Sequence, residues 1–237
     1  MPPSDPSQLT APPESLRRRF ELASTRVTVD DCQYDLLRPK SVDELICEED
    51  FAIDERIPYW ADCWPSARVL AQRIARLDGR QRTALELGCG IGLVSLAAAK
   101  AGFQVLASDY YADALEFTEA NAQRHGVNRL DTRLIDWRRL PGDLGTFDLV
   151  AASDVLYEQP QAGWIAAALA ATLSPDGLGL LSDPGRRMAD TFVVECDNRG
   201  LTARCVDRVL TVDAGVRLTV SVFEIRRCEP GRAAVSH

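Results

Sequence analysis

The stretch TALELGCGIGLVSLAAAKAG, residues 83–102, constrains the fold more than any other part of the chain. A short apolar strand runs into a loop with glycine at 88, 90 and 92, and an apolar helical segment follows until Gly102. A strand that turns through glycines into a helix opens a βα unit. Repeated units of this kind build a parallel sheet with right-handed crossovers and a ligand at the carboxyl ends of the strands. Glycine in such a turn lets the backbone bend sharply and lets a ligand approach without a Cβ in the way. The first N–H groups of the helix, which lack intrahelical partners, would face that ligand.

The same alternation continues. FQVLASD (103–109) predicts a second strand ending on an acid, and YADALEFTEANAQRHG a helix with Leu115, Thr118 and Ala122 at helical spacing, stopping at Gly126. LDTRLIDW reads as a weaker strand and FDLVAASD (147–154) as a strong one. Ile165, Leu169 and Leu173 mark the next helix, SPDG turns the chain into LGLLSD, and Met188, Phe192 and Cys196 mark another helix. ARCVDRVLTV and VRLTVSVFEI flank Asp213-Ala214-Gly215 and predict an antiparallel hairpin. Upstream, RVTVDDCQYDLL predicts a small hairpin turning near Asp30-Asp31. Ala67, Leu70, Ile74 and Leu77 predict a helix with Pro65 in its first turn. The expected fold is α/β, a Rossmann-like sheet with a terminal antiparallel hairpin and a small N-terminal extension. The expected division is a proline-rich disordered tail over 1–13, the extension and leading helix over 14–80, and the core over 81–228.

Composition excludes several functions. A formal net charge of −8 argues against a partner held by phosphate contacts, and the run Arg17-Arg18-Arg19 reads as a solvated helix face. The chain has seven cysteines without a CxxC pair and two histidines, His125 and His237. That pattern reads as reduced thiols in a cytoplasmic setting, and argues against a metal site or a Ser-His-Asp triad. No apolar run approaches transmembrane length.

Leu93 stands where a dinucleotide GxGxxG fingerprint would place its third glycine, so the loop suits a ligand without a pyrophosphate. Glu86 precedes the loop and can accept a hydrogen bond from an ammonium group or a water. Asp109, at the end of the second strand, is placed to take both hydroxyls of a ribose. Asp136 and Trp137 end the third strand, where an acid can bond an adenine amino group and an indole can stack on the ring. Trp137 alone reads equally well as a core residue. A cationic, ribose-bearing ligand with no phosphate is S-adenosylmethionine. Cys89 in the loop and Tyr110 beside Asp109 join Glu86, Gly88, Gly90, Gly92, Asp109, Asp136 and Trp137 in the expected cofactor set.

IPYWADCWPSARVLAQRI, the glycine-loop region through ASDYYADAL, and ASDVLY resemble the seven-β-strand methyltransferases of family 16. Within that family they are most similar to the electron transfer flavoprotein β-subunit lysine methyltransferases and their bacterial relatives. The resemblance covers about residues 25–225 and is most specific at PYWA…WPS and at the D-x-x-Y motif, Asp154–Tyr157. It implies a seven-stranded class I methyltransferase sheet. It makes Trp64 and Ser153 cofactor contacts, seats the methionine part of S-adenosylmethionine on the Gly88–Gly92 loop, and puts Asp154 and Tyr157 at the substrate entrance. The implied activity is N-methylation of a lysine presented by a protein, the electron transfer flavoprotein β-subunit being one such partner. Ala67-Arg68 stands where relatives often have a glycine and a small or apolar residue, which bears on the substrate groove.

Other readings stay open at this level. Asp154 and Tyr157 also read as a helix cap and a residue packed in its first turn, and Trp60 as a core plug or a wall of the acceptor channel. The acceptor could be a small amine or heterocycle, since fold does not carry substrate. A non-catalytic S-adenosylmethionine-binding module would share these residues. A nucleotide-dependent oxidoreductase is disfavoured by the missing fingerprint glycine and the terminal hairpin.

Overall fold

The computed structural model describes residues 10–42, 45, 58–157 and 159–228. Most of the expected proline-rich tail therefore lies outside the described residues. Among them no helix is long and apolar enough to cross a membrane.

A short helix, α1 (Glu14–Arg19), precedes the hairpin of β1 (Leu22–Val29) and β2 (Cys32–Pro39), which turns at Asp30-Asp31 as the sequence predicts. A single 3₁₀ turn, Tyr59–Ala61, leads into α2 (Pro65–Ala75). Pro65 opens that helix, where its missing N–H costs nothing. Leu70, Ala71 and Ile74 are fully buried on its inner face, each leucine or isoleucine contributing roughly 1.5–3 kcal/mol by leaving water.

The βα alternation follows in the predicted order: β3 (Thr83–Leu87), α3 (Leu93–Lys100), β4 (Gln104–Asp109), α4 (Ala112–Arg124), β5 (Leu130–Leu134), β6 (Phe147–Ser153), α5 (Gln159–Thr172), β7 (Leu173–Asp183) and α6 (Met188–Asp197). The closing hairpin is β8 (Leu201–Asp213) and β9 (Val216–Arg227). Its turn, Ala214-Gly215, has positive φ at both positions (46° and 82°), the backbone that matches the right-handed twist of paired strands.

These strands form one seven-stranded sheet in the order β5-β4-β3-β6-β7-β9-β8. The first five are parallel, while β9 runs antiparallel to β7 and β8 antiparallel to β9. Strand order therefore reverses between β3 and β6, and the loops leaving these two strands splay apart there. In an open α/β sheet this switch point is where a ligand binds.

Successive strand residues point to opposite faces, and both faces are covered. Ala84, Leu149, Ala151 and Leu180 join the core beneath α2, α3, α4 and the β1–β2 hairpin. Leu85, Val150, Ala152 and Leu181 join the core beneath α5 and α6. Burial on both faces explains why the strands read as continuous apolar runs.

One local feature differs from expectation. SPDG is not a separate turn but a bulge inside β7. Pairing with β6 jumps from Phe147↔Leu173 to Leu149↔Leu178, so the extra residues loop out of the ladder. The N-terminal hairpin also shares the core of the main sheet: Val27, Val29, Tyr34 and Leu36 lie in one cluster with Leu96 and Phe117. Fully buried Asn121 of α4 binds it in place. Its amide donates to Leu37 O (3.0 Å) and Ile91 O (2.9 Å), and its carbonyl accepts from Leu37 N–H (2.7 Å).

Candidate active site

A cleft partly open to solvent lies over the switch point. Its floor is the glycine loop, one wall is the Tyr59–Trp64 segment, and the other comes from the ends of β4, β5 and β6. All four tryptophans of the chain line it: Trp60, Trp64, Trp137 and Trp164.

The loop is built for close approach. Gly88 has φ +77°, and a Cβ there would stand 3.0 Å from the Trp137 ring. Gly90 has φ +53°, and its Cβ would stand 3.0 Å from the carbonyl oxygen of Trp60. Left-handed backbone and tight neighbours both demand glycine. Four amides of the loop are used internally. Gly88 and Cys89 N–H both donate to Ser108 O (2.9 Å each), Gly90 N–H to Asp109 Oδ2 (2.9 Å), and Gly92 N–H to Cys89 O (2.8 Å). At these positions the loop offers a shaped floor more than a nest of donors.

Gly92 stands apart from the other two glycines of the loop. Gly88, Cys89 and Gly90 line the cleft, whereas Gly92 does not. Gly92 is the N-cap of α3 at φ +92°, and a Cβ there would stand 2.9 Å from Thr118 Oγ1. Its role is to let α4 pack against the start of α3.

Two buried acids face the loop. Glu86 is 2% exposed and accepts a hydrogen bond from Ser95 Oγ. Burial, reinforced by the charge of Asp109, raises its pKa to about 8, the Ser95 hydrogen bonds opposing. Asp109 is 5% exposed. Its Oδ2 takes Gly90 N–H and its Oδ1 takes Tyr111 N–H at 3.0 Å. Burial pushes its pKa up while these amides pull it back. Each oxygen keeps a further acceptor site, so the expected hydroxyl-binding role is compatible with its structural one.

Asp136 lines the cleft but its carboxylate is engaged by Arg138. Arg138 Nε donates to Oδ1 at 2.8 Å and Nη2 to Oδ2 at 2.9 Å. Arg138 also lies over the rings of Tyr110 (5.3 Å) and Trp164 (6.0 Å). Trp137 packs with the α5–α6 core and against Gly88, so both readings of this residue describe one position. Its buried indole N–H has no acceptor among the described residues.

At the mouth, Trp64 donates its indole N–H to Tyr59 O (2.7 Å), and the Tyr59 ring stands 6.0 Å from Trp64 and 5.4 Å from Tyr157. Trp60 touches the cleft, but its ring is 8% exposed and packs on Tyr111 and Phe117. The plug reading thus describes most of its surface. Ser153 ends β6 half-buried on the cleft.

Asp154 has φ +61°, a left-handed backbone uncommon outside glycine. Its N–H donates to Ser182 O (2.9 Å) and its carboxylate is ion-paired with Arg186. Burial raises its pKa, and Arg186 and the Ser66 hydroxyl lower it. Tyr157 is 40% exposed, with its backbone N–H donated to Gln161 Oε1 at 2.8 Å. Sequence reasoning missed Tyr59, Arg138, Gln161 and Trp164. Tyr59 carried a signal, because it lies inside the PYWA…WPS stretch singled out in the sequence.

Residues 84–177 match the family described as methyltransferase domain. Among curated proteins, the protein N-lysine methyltransferase METTL21A of Xenopus tropicalis is 28% identical over 100 residues, 40% of this chain and 46% of that protein. The ubiquinone biosynthesis O-methyltransferase of Xanthomonas axonopodis pv. citri is 32% identical over 116 residues, 48% of each. The chain thus spans about half the length of the curated relatives it matches. Among solved structures, a ribosomal protein L11 methylase from Lactobacillus delbrueckii subsp. bulgaricus superposes with a TM-score of 0.56 at 19% identity, over 69% of this chain and 79% of that one. The fold is that of the class I methyltransferases.

Proposed function

We propose that this protein is an S-adenosylmethionine-dependent N-methyltransferase whose acceptor is a lysine side chain of a protein. The observation that carries the reading is the convergence on one cleft of the glycine floor, Glu86, Asp109, Trp137 and the Asp154–Tyr157 motif. The residues fit S-adenosylmethionine: two buried carboxylates suit a cationic, hydroxylated ligand, the glycine floor leaves room for it, and the orphaned Trp137 N–H supplies a donor. When bound, the cofactor supplies an activated methyl group on a sulfonium.

The chain's own residues have four tasks. Glu86 neutralises an ammonium group, and Asp109 accepts hydrogen bonds from hydroxyls. The four tryptophans and Tyr59 exclude water from the reacting centre. Asp154 and Tyr157 align the acceptor nitrogen, which must first lose a proton because an alkylammonium has a pKa near ~10.4. The aromatic faces of Tyr157 and Tyr59 favour a cation by roughly 0.5–2 kcal/mol.

Lysine is supported by the similarity to METTL21A and by the motif's resemblance to protein lysine methyltransferases. The electron transfer flavoprotein β-subunit is the candidate acceptor that this resemblance suggests. The similarity to a ubiquinone biosynthesis O-methyltransferase favours a second reading, a small-molecule acceptor. Mass spectrometry of a host proteome with and without this protein separates the two. Lysines methylated only in its presence support the first, and turnover of a small acceptor with no such lysine overturns it. In parallel, Asp154→Asn keeps a side chain tolerant of left-handed backbone. It is expected to retain cofactor affinity within a few-fold while methyl transfer falls about 100-fold or more, and near-normal turnover refutes the role of Asp154.

A further inference from the structure

The acid at the expected acceptor position already holds a cation. Arg186 Nη1 is ion-paired with Asp154 Oδ1 and donates to the carbonyl oxygen of Asp154 at 3.2 Å. Its guanidinium carbon lies 5.8 Å from the centroid of the Tyr157 ring. A carboxylate, a carbonyl oxygen and an aromatic face are the three groups that recognise an ammonium ion. Here all three come from the D-x-x-Y motif, and an arginine from another part of the chain occupies them.

This arginine is presented deliberately yet held loosely. Asp183, fully buried, takes Gly185 N–H (2.8 Å) and Arg186 N–H (2.7 Å) on Oδ1, which folds the Pro184–Arg187 turn and fixes where Arg186 starts. The side chain it presents is 33% exposed, above an Asp154 side chain that is 7% exposed. Arg186 and the Ser66 hydroxyl both act on the Asp154 carboxylate, and buried Asp183 lies within electrostatic reach of it. A planar guanidinium presents its donors in one fixed plane, whereas the three donors of a primary ammonium rotate and can meet the carboxylate and the carbonyl oxygen of Asp154 together.

We propose that Arg186 is a specificity-determining stand-in for the acceptor, a resident cation that keeps Asp154 neutralised until a primary alkylammonium displaces it. This rests on reading Asp154 and Tyr157 as the acceptor site. Guanidinium suits the part because it stays protonated and offers no nitrogen lone pair to a methyl donor. An alkylammonium must displace Arg186 to bind, so its apparent affinity is reduced by the fraction of molecules in which Arg186 sits on Asp154. A neutral acceptor does not compete for Asp154 and is affected little.

The test is calorimetric titration of n-butylammonium into protein saturated with S-adenosylhomocysteine, comparing the wild type, Arg186→Gln and Arg186→Lys. Arg186→Gln is expected to bind butylammonium about tenfold more tightly than the wild type, with n-butanol binding unchanged. Arg186→Lys is expected to restore the wild-type weakness because it restores the charge. S-adenosylhomocysteine affinity, measured first, reports that each variant is folded. Butylammonium binding by Arg186→Gln that is equal to or weaker than the wild type, or Arg186→Lys behaving like Arg186→Gln, overturns the proposal. Failure of the wild type to bind S-adenosylhomocysteine counts against the cofactor reading instead, and the same titrations without it still decide the role of Arg186.

Discussion

Replacing Glu86 with glutamine separates the charge of this buried acid from its shape. In the folded protein its pKa stands at about 8, chiefly because burial disfavours the carboxylate. At pH 7 the group is therefore about 90% protonated before a ligand binds. A cofactor ammonium placed against it favours the ionised form and returns its pKa toward or below the ordinary value of about 4.5, so binding expels the proton. The amino group of S-adenosylmethionine also titrates near neutrality, but it does so equally in both proteins. The difference between wild type and Glu86→Gln isolates the acid: the wild type should release about 0.9 more proton per cofactor bound at pH 7. The assay is calorimetry in buffers of different ionisation enthalpy. The same linkage gives the wild type an additional loss of affinity, relative to Glu86→Gln, of about tenfold per pH unit on acidification from pH 8 toward pH 5. Stability carries a signature of opposite sign. The unfolded carboxylate ionises above about pH 4.5 and the folded one only near pH 8, so the wild type loses stability as pH rises through that window, by a few kcal/mol in total. Glu86→Gln removes that slope in urea unfolding. Equal proton release by the two proteins would refute placing an ammonium against Glu86.

Gly88 and Gly92 should separate ligand binding from packing. Gly88→Ala puts a methyl between the cleft floor and Trp137 and is expected to weaken S-adenosylhomocysteine binding tenfold or more, roughly 1.4 kcal/mol. Gly92→Ala forces a left-handed backbone against Thr118 and is expected to cost about 1–3 kcal/mol of unfolding free energy while changing affinity much less per molecule that stays folded. Thermal melts beside calorimetry check both. His125, buried against Tyr34 and held by Asp35, has its pKa lowered, mainly by burial. The unfolded chain takes up a proton first as pH falls through about 6.5. His125 therefore contributes a loss of stability below that pH, and His125→Gln should show a shallower loss than the wild type in urea unfolding between pH 7 and 5.

Periodicity and turn chemistry are local, and they determined the βα order, the glycine loop, the closing hairpin at Ala214-Gly215 and the hairpin at Asp30-Asp31. The spacing of Glu86, Gly88 and Asp109 also implied one ligand site. Strand ends in a parallel sheet converge, so acids and glycines at those ends meet whatever the helices contain. Other features depend on side chains that meet only after the sheet is wound. Gly92 looks like its neighbours in sequence, but its place at the helix N-cap turns its missing Cβ toward Thr118 instead of the cleft. Asp136 carries an acceptor role in sequence that Arg138, two residues on, occupies in space. Trp164 reaches the cleft because α5 begins beside it, and Asn121 ties the N-terminal hairpin to the loop across a gap that no sequence spacing encodes. Arg186 is the sharpest instance. Nothing in SDPGRR announces a partner for Asp154, yet the turn held by Asp183 brings the guanidinium onto it, because β6 and β7 lie side by side and release their chains at the same end of the sheet.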